Sequence, residues 1–171
     1  GNPASYTVLT PTITLQPATK AGYTFGGWYA DAGFTTPVTQ IVLGSTGNVT
    51  LYAKFTAVYP VTYNGNGSTG GSAPVDALSP YAAGATVTVL GAGSLVRTGY
   101  TFVDWDMASD GSGANYDPAD TFPMPGSAVT LFAQWTLDTY TITYNLDSGT
   151  NDPGNPASYT VLTPTITLQP A

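Results

Sequence analysis

Hydrophobic and polar residues alternate along much of this chain with the period of a β-strand. Tyr140, Ile142 and Tyr144 fall on one side of an extended segment, and Thr141 and Thr143 fall on the other. Ile13 and Leu15 alternate with Thr12 and Thr14, as Val87 and Val89 do with Thr86 and Thr88. A period of two marks strands with one packed face and one wet face. Threonine suits the wet face because its branched Cβ is stiff and its hydroxyl stays solvated. Residues 22–28 and 99–105 share the pattern Gly-Tyr-Thr-Phe-x-x-Trp, which puts large aromatics on one face and predicts most of the core area there. Clusters of Gly, Asn, Asp and Pro at 64–71, 110–115, 123–127 and 147–156 divide the strands. One short helix is predicted over 74–83, weakened by Pro80 inside it.

The pattern repeats on two scales. The first eighteen residues, GNPASYTVLTPTITLQPA, recur unchanged from Gly154 to Ala171. Chance does not produce such a match, so the chain reads as a window on a tandem array whose period is the 153-residue spacing from Gly1 to Gly154. Copying this faithful points to length, multivalency or a fibre rather than to one active site. A weaker repeat lies inside the period. Residues 22–28 match 99–105, residues 49–55 match 129–135, and Tyr59-Pro60-Val61-Thr62-Tyr63-Asn64 matches Tyr140-Thr141-Ile142-Thr143-Tyr144-Asn145. Two module types therefore alternate. The expected division is 1–57 as the C-terminal part of a first-type module, 58–138 as a complete second-type module, and 139–171 as the N-terminal part of the next first-type module.

These blocks resemble the Listeria–Bacteroides repeat, also known as the internalin B-repeat. Its pattern is an opening Tyr-x-Val-x-Tyr/Phe strand, then Gly-Tyr-x-Phe-x-Gly-Trp, then a closing Leu-Tyr-Ala-x-Trp strand. Here those are residues 140–144, 22–28 and 51–55 for one module type and 59–63, 99–105 and 131–135 for the other. Two positions depart from the pattern: Asp104 precedes Trp105 in place of Gly, and Phe55 stands in place of the closing Trp. The resemblance implies a mainly β architecture of tandem, small, β-grasp-like modules with little helix, in a secreted or surface-attached bacterial protein. It also implies that the first and last strands of a module lie side by side, so that tension on the termini shears a ladder of hydrogen bonds.

Composition narrows the chemistry. The 171 residues carry 10 Asp, no Glu or His, three basic residues and no Cys, for a net charge of −7. Three basic residues cannot neutralise a phosphate backbone, so nucleic acid is excluded as a partner. No apolar run reaches the length of a membrane span, so no membrane insertion is expected. Without His or Cys there is no nucleophilic triad and no Cys/His zinc site, and the chain reads as no enzyme. The segment 65–71 is Gly-rich but lacks the Lys of a phosphate-binding loop.

Asp104, Asp106, Asp110, Asp117 and Asp120 form the one acidic concentration, a candidate for Ca²⁺ by ligand type but not by spacing. Solvated turn aspartates are the plainer reading, and no cofactor is expected. Lys20 and Lys54 could join an Asn in an isopeptide crosslink, but ordinary exposed lysines fit better, since no acidic catalyst is evident beside either. Tyr29, Phe34 and Tyr116 lie outside the regular alternation and are the expected exposed aromatics for a glycan or a host protein. The expected function is a non-catalytic stalk or spacer of a bacterial cell-surface protein, located extracellularly. The alternatives are an adhesin repeat, with avidity from repetition, or a filament subunit. The expected partners are neighbouring repeats and, through head-to-tail strand donation, further copies of the chain.

Overall fold

The structure, a computed structural model, describes residues 1–170; Ala171, the last residue of the C-terminal duplicate, lies outside them. The protein is mainly β, with no helix among the described residues. In chain order the first strands are β1 (Ile13–Thr14), β2 (Tyr23–Tyr29), β3 (Pro37–Val38), β4 (Gln40–Ile41), β5 (Tyr52–Tyr59), β6 (Val61–Asn64) and β7 (Tyr81–Ala82). They are followed by β8 (Thr86–Thr88), β9 (Tyr100–Asp106), β10 (Asn115–Tyr116), β11 (Thr121–Pro123), β12 (Val129–Leu137), β13 (Tyr140–Thr141) and β14 (Ser158–Tyr159).

The helix expected over 74–83 does not form. Asp76 folds its segment into a turn, its Oδ1 accepting the Leu78 N–H at 2.8 Å and its carbonyl the Ser79 N–H at 3.3 Å. Aspartate commonly diverts local backbone in this way, and Pro80 has no N–H with which to continue a helix. Tyr81 and Ala82 extend instead as β7, pairing antiparallel with Tyr59 and Val58 of β5.

The chain falls into two compact units. The first takes residues 1–60 with 80–85 and 124–127, and the second takes 61–79, 86–123 and the residues from Ala128 onward. In the first unit β2 lies between β3 and β5, in the order β3-β2-β5-β7, and a separate pair joins β1 to β4. In the second unit the order is β10-β9-β12-β6, with pairs β11-β8 and β13-β14 beside it.

The two main hairpins share one register. Trp28 faces Ala53 and Phe25 faces Phe55; equivalently, Trp105 faces Ala133 and Phe102 faces Trp135. Each hairpin carries a bulge between these pairs, at Gly26–Gly27 and at Val103–Asp104. A bulge shifts the alternation by one residue, which lets Phe and Trp three positions apart share a face. Those rings pack edge to face, at 5.6 Å for Phe25–Trp28 and 5.3 Å for Phe102–Trp105.

The second unit differs in one respect. Its opening strand β6 runs parallel to its closing strand β12, with Val61 opposite Val129 and Tyr63 opposite Leu131. That strand seals the core formed by Val61, Tyr63, Val87, Val89, Trp105, Phe122, Val129, Leu131 and Ala133, all buried.

Candidate functional site: an open strand edge in the first unit

The positions that form the sealed core of the second unit have counterparts in the first. Ile13 and Leu15 correspond to Val87 and Val89, Ile41 to Phe122, and Val49 and Leu51 to Val129 and Leu131. Local bonding follows the same correspondence. Trp28 Nε1 donates to the Gln16 carbonyl at 2.8 Å, and Trp105 Nε1 donates to the Leu90 carbonyl at 2.8 Å. Burial, however, differs sharply. Leu131 and Trp105 are wholly buried, whereas Leu51 and Trp28 are half-buried and Val49 is 47% exposed.

The cause is a missing neighbour. Val49, Thr50 and Leu51 have no ladder partner among the described residues, while their counterparts pair with β6. A cavity of ≈ 400 Å³ opens beside this edge, lined by Ile13, Leu15, Ile41, Val49 and Leu51 with Tyr6 at its rim. An unpaired edge over an apolar hollow invites strand addition.

The five candidate calcium ligands do not converge: no cluster of three or more acidic side chains suited to a metal occurs among the described residues. Asp106 is 2% exposed and works on the backbone, its Oδ1 accepting the Ala108 N–H at 2.6 Å and the Gly113 N–H at 3.0 Å. Asp110 accepts from the Ser112 hydroxyl at 2.7 Å and from its N–H at 3.1 Å, which holds its carboxyl below the usual value of 3.8. Asp120 caps the Asp117 N–H at 2.9 Å. Asp104 Oδ2 accepts from Asn115 Nδ2 at 3.3 Å, and its Oδ1 is buried without a hydrogen-bond partner. The burial of Asp106 was not legible in the sequence, where it reads as one more loop aspartate.

The candidate aromatics divide. Tyr29 and Phe34 meet edge to face at 5.4 Å, with Lys54 Nζ about 6 Å from each ring, and Phe34 is exposed. Tyr116 lies in the other unit, half-buried against the core residue Phe122 at 5.0 Å. Lys20 sits over the Tyr23 ring at 3.8 Å, as Arg97 does over Tyr100 at 3.9 Å, so both cations serve the same local packing.

Comparison with known proteins supplies the family. The Listeria-Bacteroides repeat domain matches residues 2–54 and again residues 59–134. The chain belongs to that repeat family. The two matches meet close to the division between β5 and β6, so the Listeria-Bacteroides repeat is present twice in the chain. Two relatives come from Evansella cellulosilytica. One, named "Putative membrane protein", is 39% identical over 123 residues, covering 70% of this chain and 18% of its own length. The other, named "Putative Gly-rich membrane protein", is 35% identical over 138 residues, covering 76% of this chain and 16% of its own. The chain thus spans less than a fifth of these relatives. No solved structure matches it.

Proposed function

We propose that this chain is part of the repeat region of a bacterial cell-surface protein and acts outside the cell as a non-catalytic stalk or spacer. The observation that carries this reading is the parallel pairing of β6 with β12, the opening and closing strands of the second unit. Tension entering at the start of β6 and leaving at the end of β12 runs along both strands in opposite directions. It loads the Val61–Val129 to Asn64–Phe132 ladder in shear, so its bonds, each worth about 0.5–1.5 kcal/mol net, must yield together. Near-identical repetition supports the same reading, because arrays gain length and shared stability from copies. The names of the Evansella relatives place them among membrane proteins, which is compatible with a cell-surface setting. No helix among the described residues is long and apolar enough to cross a membrane.

Single-molecule stretching tests the stalk. Pulled from the chain ends, the second unit should unfold at a clearly higher force than when handles at Thr88 and Thr121 unzip the β8–β11 pair. Equal forces in the two geometries would remove the mechanical argument.

The adhesin reading keeps one supporting observation, the exposed Phe34 packed on the half-buried Tyr29 beside Lys54. Aromatic faces with a nearby cation suit a sugar or a protein surface. Micromolar binding to one ligand class on a glycan array, lost in Phe34→Ala, would favour it over the pure spacer.

A further inference from the structure

A polar cavity of ≈ 460 Å³ opens on the second unit where β9 bulges against β12. Gln134 stands opposite that bulge, so Val103 and Asp104 share one partner. A bulge re-aims the side chains it carries, and bulges recur beside binding sites for that reason. Asp104 lines this cavity. Its Oδ2 accepts from Asn115 Nδ2 at 3.3 Å, while its Oδ1 is buried without a hydrogen-bond partner. A buried carboxylate oxygen left unpaired costs free energy that the fold does not recover. Folding alone does not ask for it, since the equivalent position in the first unit is Gly27. We infer that this cavity binds one ring of a neutral sugar, with Asp104 Oδ1 accepting a hydrogen bond from a sugar hydroxyl.

The rest of the lining suits that guest. Gln134 spends its Nε2 on the Ala108 and Phe132 carbonyls, at 3.3 Å each, and its Oε1 faces Gly111. Gly111 keeps that side open: its φ is +76°, and a Cβ there would stand 3.2 Å from Gln134 Oε1. Thr136 adds a hydroxyl at the rim. A hydroxyl both donates and accepts, so neighbouring sugar hydroxyls can serve acceptors and donors set side by side. A hydroxyl that donates to a carboxylate makes a short, strong bond. Trp135 is held in place, its Nε1 donating to the Gly65 carbonyl at 3.0 Å and its ring edge to face with Phe102 at 5.8 Å. With the exposed Val103 it forms an apolar wall for the C–H face of the ring. Such a wall with a few convergent polar groups, in roughly 300–1,000 Å³, is the usual form of a small-molecule site.

Other guests fit less well. The carboxylates of Asp104 and Asp106 line the cavity and no basic side chain does, so an anionic sugar is repelled. Calcium takes roughly 6–8 oxygen ligands, and Asp106 Oδ1 is already committed to the Ala108 and Gly113 N–H groups. A lysine ammonium would pair with Asp104 but leave the apolar wall unused. The first unit lacks the site altogether. Gly26 and Gly27 stand in place of Val103 and Asp104, and Lys54 in place of Gln134, its Cγ 3.4 Å from where a Gly26 Cβ would lie. The inference rests on neither the stalk reading nor the Tyr29–Phe34 pair.

Amide NMR on the 171-residue chain tests it, by titration with glucose, galactose, mannose and N-acetylglucosamine, and with glucuronic acid as the anionic control. Saturable shifts confined to residues 103–116 and 134–136 are expected with at least one neutral sugar and not with glucuronic acid. Asp104→Asn should weaken that binding at least tenfold. Gln134→Lys, which sets an ammonium beside Asp104, should block it without lowering the melting temperature. The same spectra report that each variant is folded. Phe34→Ala should leave the affinity unchanged. Its loss in Phe34→Ala would put the sugar at the Tyr29–Phe34 pair, overturning this site while favouring the adhesin reading. The inference is also overturned if no neutral sugar shifts these amides, if binding survives Asp104→Asn, if glucuronic acid binds equally well, or if only Ca²⁺ or lysine amide moves them.

Discussion

Asp106 shows how a single buried side chain can hold a loop. It closes the turn over residues 106–113 by accepting two backbone N–H groups while almost wholly buried. Asp106→Ala strands both donors, and bonds to a charged acceptor are worth about 1.5–3 kcal/mol each. A loss of about 2–4 kcal/mol is expected in urea denaturation of the second unit, on the same scale. Asp31 plays the lesser, exposed version of this role. The Thr35 and then the Thr36 N–H hold its carboxyl below 3.8, as Ser112 holds that of Asp110. A depressed folded pKa gives stability that is present above the unfolded value and lost as pH falls through the folded one. Tyr63 acts oppositely: burial raises its phenol above 10.0, only partly offset by the Leu90 N–H, so its contribution is intact below pH 10.0 and fades as pH rises through the folded value. Stability should thus be flat near neutrality and fall below about pH 4 and above about pH 10, and Asp31→Asn with Asp110→Asn should flatten the acid side. Carboxyl NMR titrations that place both aspartates at or above 3.8 would contradict the acid half. Gly71 marks a different constraint, with φ of +75° and a space in which any Cβ would overlap the Ser94 carbonyl. Both the strained backbone and the overlap would penalise Gly71→Ala.

At the scale of elements, the two hairpins form a natural control experiment. β2 with β5 and β9 with β12 share register, bulge position and aromatic pairs, yet among the described residues only the second is covered by a parallel strand. The same leucine therefore has two environments. Leu131→Ala should cost about 2–5 kcal/mol, the range for truncating a fully buried leucine. Leu51→Ala, at a half-open site, should cost less than about 2 kcal/mol because little packed surface is removed. Thermal melts of the two variants, read on the unit each belongs to, check the difference, and equal costs would mean that the first edge is already covered. The closing strands also differ in chemistry. Trp135 Nε1 donates to the Gly65 carbonyl at 3.0 Å, a bond that Phe55 cannot make. Much of this level was legible from period-two alternation, which located the Gly-Tyr-Thr-Phe strands, the closing strands and the Thr-rich faces. The helix expected over 74–83 failed because the Asp76 turn and Pro80 act together, and the strand β7 that follows depends on a partner 22 residues earlier in the chain.

For the whole molecule, the consequence is unequal stability in a chain of similar parts. Amides of β9, β12 and β6 lie over a sealed core, while those of β1 and β4 lie beside the open cavity. Native-state hydrogen exchange should therefore protect the former far longer. Uniform protection across both sets of amides would contradict that difference. By itself the sequence determined the repeat architecture, the strand-rich class, the pairing of equivalent blocks and the absence of His and Cys chemistry. Each of these follows from periodicity or from residue inventory, which are local properties. Only the tertiary structure decided which equivalent residues are buried, that Asp106 faces inward, and that Val49–Leu51 is an open edge over a hollow. Those outcomes depend on which distant strand lies alongside, and two segments of near-equal sequence meet different neighbours. A core is sealed by the strand that lies across it, and that strand's position is a property of the fold rather than of the segment it covers.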